Sequence, residues 1–230
     1  MLNVNKHRAT MVKIIKDIYK DKELQTLLGF KGGTAAMLFY GLPRFSVDLD
    51  FDLLGEDRID LVDKKVGEIA RKYGEIKDEK NKYYNIFFLL SYGANQRNIK
   101  VEISKRDHLG EFEPRDYMGI STMVMKKPDM FANKLLALTE RKNLANRDIF
   151  DIWYFTNENW GINDEIIKER KGISTKEQIK NCIGMIEGVN NRFILAGLGE
   201  LLEEDQKQWA KEELKEETIF LLRNYLEEIK

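Results

Sequence analysis

The chain has 230 residues and a mass of 27.0 kDa, enough to bury a sizeable core in one large domain or two small ones. Hydrophobic residues make up 43% and charged residues 33%, and a net charge of -1 with a pI near 6.3 excludes a global positive field for nucleic-acid binding. One cysteine, Cys182, excludes an internal disulfide, and with only two histidines it excludes a Cys/His zinc site.

The chain opens with MLNVNKHRATMVKIIKD, which has no long apolar core and no small-residue cleavage site. No stretch reaches the roughly 18 to 20 apolar residues of a membrane span, so a cytoplasmic protein with no membrane partner is expected. Residues 5–28 carry Val12, Ile15, Ile18 and Tyr19 at helical spacing and predict an opening helix. LGFKGG reads as a short strand running into a turn, TAAMLFYG as a helix, and SVDLDFDL as a strand. RIDLVDKKVGEIARKYG predicts a helix with Ile59, Val62, Val66, Ile69 and Ala70 on its apolar stripe. YYNIFFLLSY and NIKVEISK predict two strands paired as a hairpin through Gly93 and Asn95. After Pro128 the pattern is almost wholly helical: DMFANKLLALTERK, NRDIFDIWYFTNEN, NDEIIKERKG, TKEQIKNCIGMIEGVNN and a long charged helix from about Asp205. The expected division is an α/β domain over 1–125, with its amino-terminal helix, and a helical domain over 126–230.

Strand parity points to the chemistry. In VDLDFDL the residues Asp48, Asp50 and Asp52 share one face, and Val47, Leu49, Phe51 and Leu53 share the other. Neighbouring carboxylates repel and lose hydration on burial, so that face either meets water as an acidic edge strand or holds cations. In NIKVEIS the polar face carries Lys100, Glu102 and Ser104. If both strands turn their apolar faces to the same helices, Glu102 projects to the aspartate side. Converging carboxylates form an oxygen-rich site for hard divalent ions such as Mg2+ or Mn2+. Gly32 and Gly33 stand between a strand and a helix, where peptide N–H groups and the helix dipole favour phosphate oxygens. A tight structural turn is the plainer reading of the pair alone, and no Walker A pattern is present.

KGGTA, LPRFSVDLDF, KVEIS, NKLLALTER and NRDIFDIW together resemble the AbiEii/AbiGii nucleotidyltransferase toxins, within the DNA-polymerase-β-like superfamily, over roughly residues 24 to 156. The resemblance implies an α/β minimal nucleotidyltransferase fold, a mixed sheet flanked by helices, with a helical C-terminal half. It assigns the phosphate-binding pair to Gly32 and Gly33, the metal-binding acids to Asp48 and Asp50, and the third acid to Glu102, a position more often aspartate in the superfamily. It also matches Lys134 and Asp148 to catalytic positions, and Arg44 and Ser46 to its R-x-S-x-D pattern, as residues that orient Asp48 or touch phosphate.

The residues themselves leave some of these open. Lys134 and Arg141 are seven apart and could reach nucleotide phosphates or form a solvated basic stripe. Asp148 and Asp151, with Arg147 placed to pair with Asp151, also read as a structural ion-pair cluster joining the two halves. His7 and His108 read as surface histidines, Trp153, Tyr154 and Phe155 as core contacts, and Asp52 as peripheral to the site. The expected reaction is attack of an acceptor hydroxyl on the α-phosphate of a nucleoside triphosphate such as ATP or GTP. Gly32, Gly33 and Thr34 are expected to grip the β- and γ-phosphates, and Lys134 to neutralise developing charge. The family implies a toxin with a cognate antitoxin protein and an RNA acceptor such as tRNA. A small-molecule, antibiotic-type nucleotidyltransferase and a catalytically silent nucleotide-binding module are the alternatives.

Overall fold

The computed structural model describes residues 3–106 and 109–229. The chain divides into two compact units, Met1–Met125 and Lys126–Lys230.

The first unit opens with helix α1 (Val4–Lys20), whose side-chain cap is Asn3. It is shorter than its periodicity predicts because Asp21 ends it: the Asp21 carboxylate accepts from the Glu23 and Leu24 N–H groups and starts a separate 3-10 turn, Leu24–Thr26. Strand β1 (Leu28–Lys31) runs into helix α2 (Gly32–Phe39), and then come β2 (Asp48–Leu53) and α3 (Ile59–Arg71). The remaining strands are β3 (Glu75–Asn81), β4 (Asn85–Ser91), β5 (Ile99–Ser104), β6 (Phe112–Tyr117) and β7 (Ile120–Met125).

All seven form one mixed sheet in the order β3-β4-β5-β2-β1-β7-β6. β2 lies parallel to β5 and antiparallel to β1, while β1 lies parallel to β7. The hairpin of β4 and β5 forms as the alternation predicts. β3, β6 and β7 lack a reading in the sequence, and for the two edge strands there is a physical reason. β3 is the edge strand EIKDEKN, mostly exposed, with charges where an apolar face would be. β6 carries Pro114, tolerated on an edge, and joins β7 through Met118 and Gly119, both at positive φ (51° and 73°) as a tight hairpin turn requires.

The core lies on the apolar face of the central strands. Phe30, Leu49, Phe51, Val101 and Ile103 are fully buried there, with Met11, Ile14 and Ile18 of α1 and Val62 and Val66 of α3. Burying one such side chain contributes roughly 1.5–3 kcal/mol, so this face fixes which way the acids of β2 point.

The second unit is helical: α4 (Lys127–Glu140), α5 (Asn146–Asn157), α6 (Asp164–Lys171), α7 (Thr175–Glu187), α8 (Glu204–Glu212) and α9 (Leu214–Glu228). Pro128 stands in the first turn of α4, Asn163 and Ser174 cap α6 and α7, and Gly172 ends α6 at φ 69°. The single helix expected from Asp205 is broken at Glu213. Across the break, the Glu217 carboxylate accepts from the Trp153 indole at 2.9 Å and the Trp209 indole at 3.3 Å. Phe155 stacks on Trp160 with centroids 4.0 Å apart, so the aromatic run of α5 builds core, with Trp153 and Tyr154 half-buried.

Candidate active site

β1 delivers the chain to Gly32, which sits at φ 77°, a conformation that L side chains adopt only with strain. A Cβ at Gly32 would stand 2.8 Å from Asp50 Oδ2. One at Gly33 would stand 2.7 Å from an Arg44 guanidinium nitrogen and 3.0 Å from the Ser46 hydroxyl. The glycine pair therefore lets the start of α2 touch Asp50 on one side and Arg44 and Ser46 on the other. No side chain caps that helix start, which leaves its first peptide N–H groups to other acceptors.

Thr34 is buried and donates its hydroxyl to the Asp48 carbonyl, tying α2 to β2. Its side chain holds the strand, so only its peptide N–H is left to face an anion. Arg44 is buried as well and donates to the Phe45 carbonyl at 3.0 Å.

Register sets the acids. Asp48 lies opposite Lys100, and Asp50 lies opposite Glu102 on β5 and Lys31 on β1. Asp48, Asp50 and Glu102 are partly exposed, whereas Asp52 is buried and ion-paired with Lys31. Asp52 thus has a structural partner in Lys31, whose charge also reaches Asp50.

The cation among these acids is Lys100, a residue the sequence reading did not assign. Its ammonium lies 2.9 Å from Glu102 Oε2 and 3.8 Å from Asp50 Oδ1. Asn85 donates to the other Glu102 oxygen at 2.8 Å. The available signal was parity: Lys100 is two residues before Glu102 on the same polar face. Desolvation pushes the Asp50 carboxyl above its ordinary range, Lys100 opposes that, and the charges of Asp48 and Glu102 add to it. Burial also pushes Glu102 up, but hydrogen bonds from Lys100 and Asn85 outweigh it and hold the carboxyl below the usual range. Burial works against the Lys100 ammonium, and Asp50, Glu102 and Asp48 together raise it.

His7, expected at the surface, is fully buried on α1. Its Nε2 lies 2.9 Å from the Val47 carbonyl and its Nδ1 2.7 Å from the Tyr92 hydroxyl. A carbonyl only accepts, so Nε2 carries the hydrogen and a neutral ring accepts from Tyr92 through Nδ1. His7 thereby anchors the residue before Asp48. It stands one helical turn before Met11 on the buried stripe of α1, which was its signal in the sequence. His108 lies outside the described residues.

Lys134, Arg141, Asp148 and Asp151 lie in the helical unit and contact one another. The Lys134 ammonium is 2.9 Å from both Asp148 Oδ1 and Asp151 Oδ2, and both aspartates are fully buried. Arg141, just past the end of α4, places Nε 3.0 Å from Asp148 Oδ2 without hydrogen-bond geometry, so that oxygen has charge compensation and no donor. Arg147 makes no ion pair with Asp151 among the described residues; Lys134 is the partner.

The mixed sheet flanked by helices is a nucleotidyltransferase fold. That fold is similar to two crystal structures from Helicobacter pylori. JHP933 matches with a TM-score of 0.64 and 21% identity over 100% of this chain and 95% of that one. A second protein, whose nucleotidyltransferase assignment is provisional, matches with a TM-score of 0.65 and 22% identity over 99% and 97%. At these identities the likeness is one of fold. No curated protein matches the chain. The model of the nucleotidyl transferase AbiEii toxin family, from type IV toxin–antitoxin systems, matches residues 14–218, and the chain belongs to that family. No described helix is long and apolar enough to cross a membrane.

Proposed function

We propose that this protein transfers a nucleoside monophosphate from a nucleoside triphosphate to an acceptor hydroxyl, with RNA such as tRNA as acceptor, as the toxin of a toxin–antitoxin pair. The observation that carries the reading is the contact of Gly32 with Asp50, beside Glu102 in register. It joins a phosphate-binding helix start to a carboxylate pair.

A divalent ion suits the donor set. Asp48, Asp50 and Glu102 are hard oxygen ligands on one face, and Asp50, raised by desolvation first and further by the charges of Asp48 and Glu102, is stabilised by a cation. Among the described residues no three acids are gathered into a ready metal site, and Glu102 is bonded to Lys100 and Asn85 instead. Asp48, Asp50 and Glu102 would hold Mg2+ or Mn2+, which supplies charge neutralisation on the phosphates. Gly32, Gly33 and Thr34 present peptide N–H groups to the β- and γ-phosphates. Glu102, held ionised, stands ready to accept the acceptor's proton. The acceptor oxygen bonds to the α-phosphorus as the bond to pyrophosphate breaks. Lys134, Arg141 and Asp148 are proposed as further contributors to nucleotide binding and catalysis.

Each labelled nucleoside triphosphate, with Mg2+, is offered total cellular RNA or a panel of small alcohols. Label in RNA that disappears in Asp48→Ala, with the fold retained, supports the reading. Label retained by that variant sinks it, and label only on small alcohols replaces the acceptor.

A further inference from the structure

The β3–β4 hairpin ends in Lys82-Tyr83-Tyr84, and both tyrosines face solvent, at 84% and 55% exposure. Their rings meet edge to face with centroids 4.7 Å apart. The Arg106 guanidinium lies over the Tyr84 ring at 4.9 Å. Lys105 N–H donates to the Tyr84 carbonyl at 2.9 Å, which fastens the tip to the chain leaving β5. Exposed aromatic rings beside an arginine present planar faces and a cation on which a planar ligand can stack.

Charge narrows the ligand. Among the described residues Lys82, Lys105 and Arg106 make no ion pair, and the Lys105 ammonium donates to the neutral Asn81 side chain at 2.8 Å. In a chain of net charge -1, a polyanion must bind through such a local patch. Aromatic faces interleaved with cations match a single-stranded nucleic acid, whose bases stack while its phosphates pair.

Position narrows it further. Asn85, the residue after Tyr84, donates to Glu102, and Lys105 follows Ser104 at the end of β5. Three residues of strand place Lys105 about 10 Å beyond Glu102. β1 is antiparallel to β2, and β2 is parallel to β5, so the glycine pair sits towards the opposite end of these strands. The acid face therefore has a phosphate end at Gly32 and, past Glu102, a second end at the tyrosine hairpin.

We infer that Tyr83, Tyr84, Lys82, Lys105 and Arg106 dock the unpaired end of an RNA acceptor, delivering its hydroxyl towards Glu102. This rests on the RNA-acceptor reading above.

The test is the affinity of the full chain for a labelled single-stranded RNA of roughly 12 nucleotides, read by fluorescence anisotropy without nucleoside triphosphate. Tyr83→Ala/Tyr84→Ala weakens it about 10-fold or more, since each stacked base contributes substantially. Tyr83→Phe/Tyr84→Phe restores it, because stacking does not need the hydroxyls. Lys105→Gln/Arg106→Gln lowers both affinity and its salt dependence. Affinity for a fluorescent nucleoside triphosphate stays unchanged in all three. RNA affinity unchanged by the alanine pair overturns the dock, even if the hairpin then proves to bind a protein, and so does a wild-type chain that fails to bind the RNA. Label transfer distinguishes the two readings. Wild type and the alanine pair labelling RNA with the same KM refutes the dock alone. A wild type that labels no RNA refutes the acceptor reading and with it the delivery to Glu102, and the binding arm then decides only whether the hairpin holds RNA.

Discussion

Lys100 holds its ammonium between two carboxylates, 2.9 Å from Glu102 and 3.8 Å from Asp50, at the place where the proposed chemistry needs a divalent ion. The lysine and the ion serve the same electrostatic need, so they are alternatives at one address. Replacing Lys100 with Met leaves two acids facing one another. With the side chains about a third exposed, the expected cost is roughly 1 kcal/mol without divalent ions. Thermal unfolding checks this: Lys100→Met melts below wild type in chelator and gains more from added Mn2+. A variant that gains no more than wild type contradicts the shared address.

Gly32 is constrained twice, by φ 77° and by Asp50 Oδ2 at 2.8 Å from any Cβ. Gly32→Ala is expected to lose roughly 1–2 kcal/mol from backbone strain alone. Its transfer activity falls further than that of Gly33→Ala, whose Cβ would also press on Arg44 and Ser46 but whose backbone is not at positive φ. Denaturant melts and label-transfer rates on the two variants give the comparison.

His7 sets a pH limit on stability. Burial lowers its folded value below 6.5, the Val47 carbonyl opposes that, and Arg97 and Asp48 act with smaller, opposite signs. The unfolded ring takes a proton as pH falls through about 6.5, while the folded ring resists until the pH is lower. The stabilising contribution is present above that window and lost on acidification through it. Melting temperatures from pH 8 to 5, taken as approximate working limits, fall more steeply in wild type than in His7→Gln.

Lys134 neutralises two aspartates that are fully buried. Lys134→Ala removes the ammonium shared by the two and leaves Arg141 beside Asp148, and about 3 kcal/mol of unfolding free energy is expected to be lost. Denaturant titration measures it directly. Any loss of transfer in this variant must therefore be judged against Lys134→Ala/Asp151→Asn, which leaves Asp148 paired with Arg141 and recovers part of the stability.

The alternation in β2 and β5 made the acids legible, because a single period of two sorts side chains onto faces before any pairing is known. It also placed Lys100 beside Glu102, yet no sequence rule says which of several polar groups a long flexible ammonium will choose. β3 and β6 were opaque for another reason: an edge strand needs no apolar face, so EIKDEKN leaves no hydrophobic trace. Gly119 was the one visible sign of the β6–β7 turn, paired with a Met118 that sequence rules would not place at φ 51°. In the helical unit the spacing of Asp148 and Asp151 suggested a cluster, and only the fold supplied Lys134 in place of Arg147.

β1 completes its pairing only when Phe30 meets Val124. The glycine pair that follows β1 is thus braced by a strand made almost a hundred residues later in synthesis, a slow, long-range closure for a growing chain. A ribosome-bound fragment ending before β7 would carry Asp48, Asp50 and Glu102 on an unfinished sheet. The fold therefore defers completion of the sheet that carries the proposed site until most of the first unit has emerged.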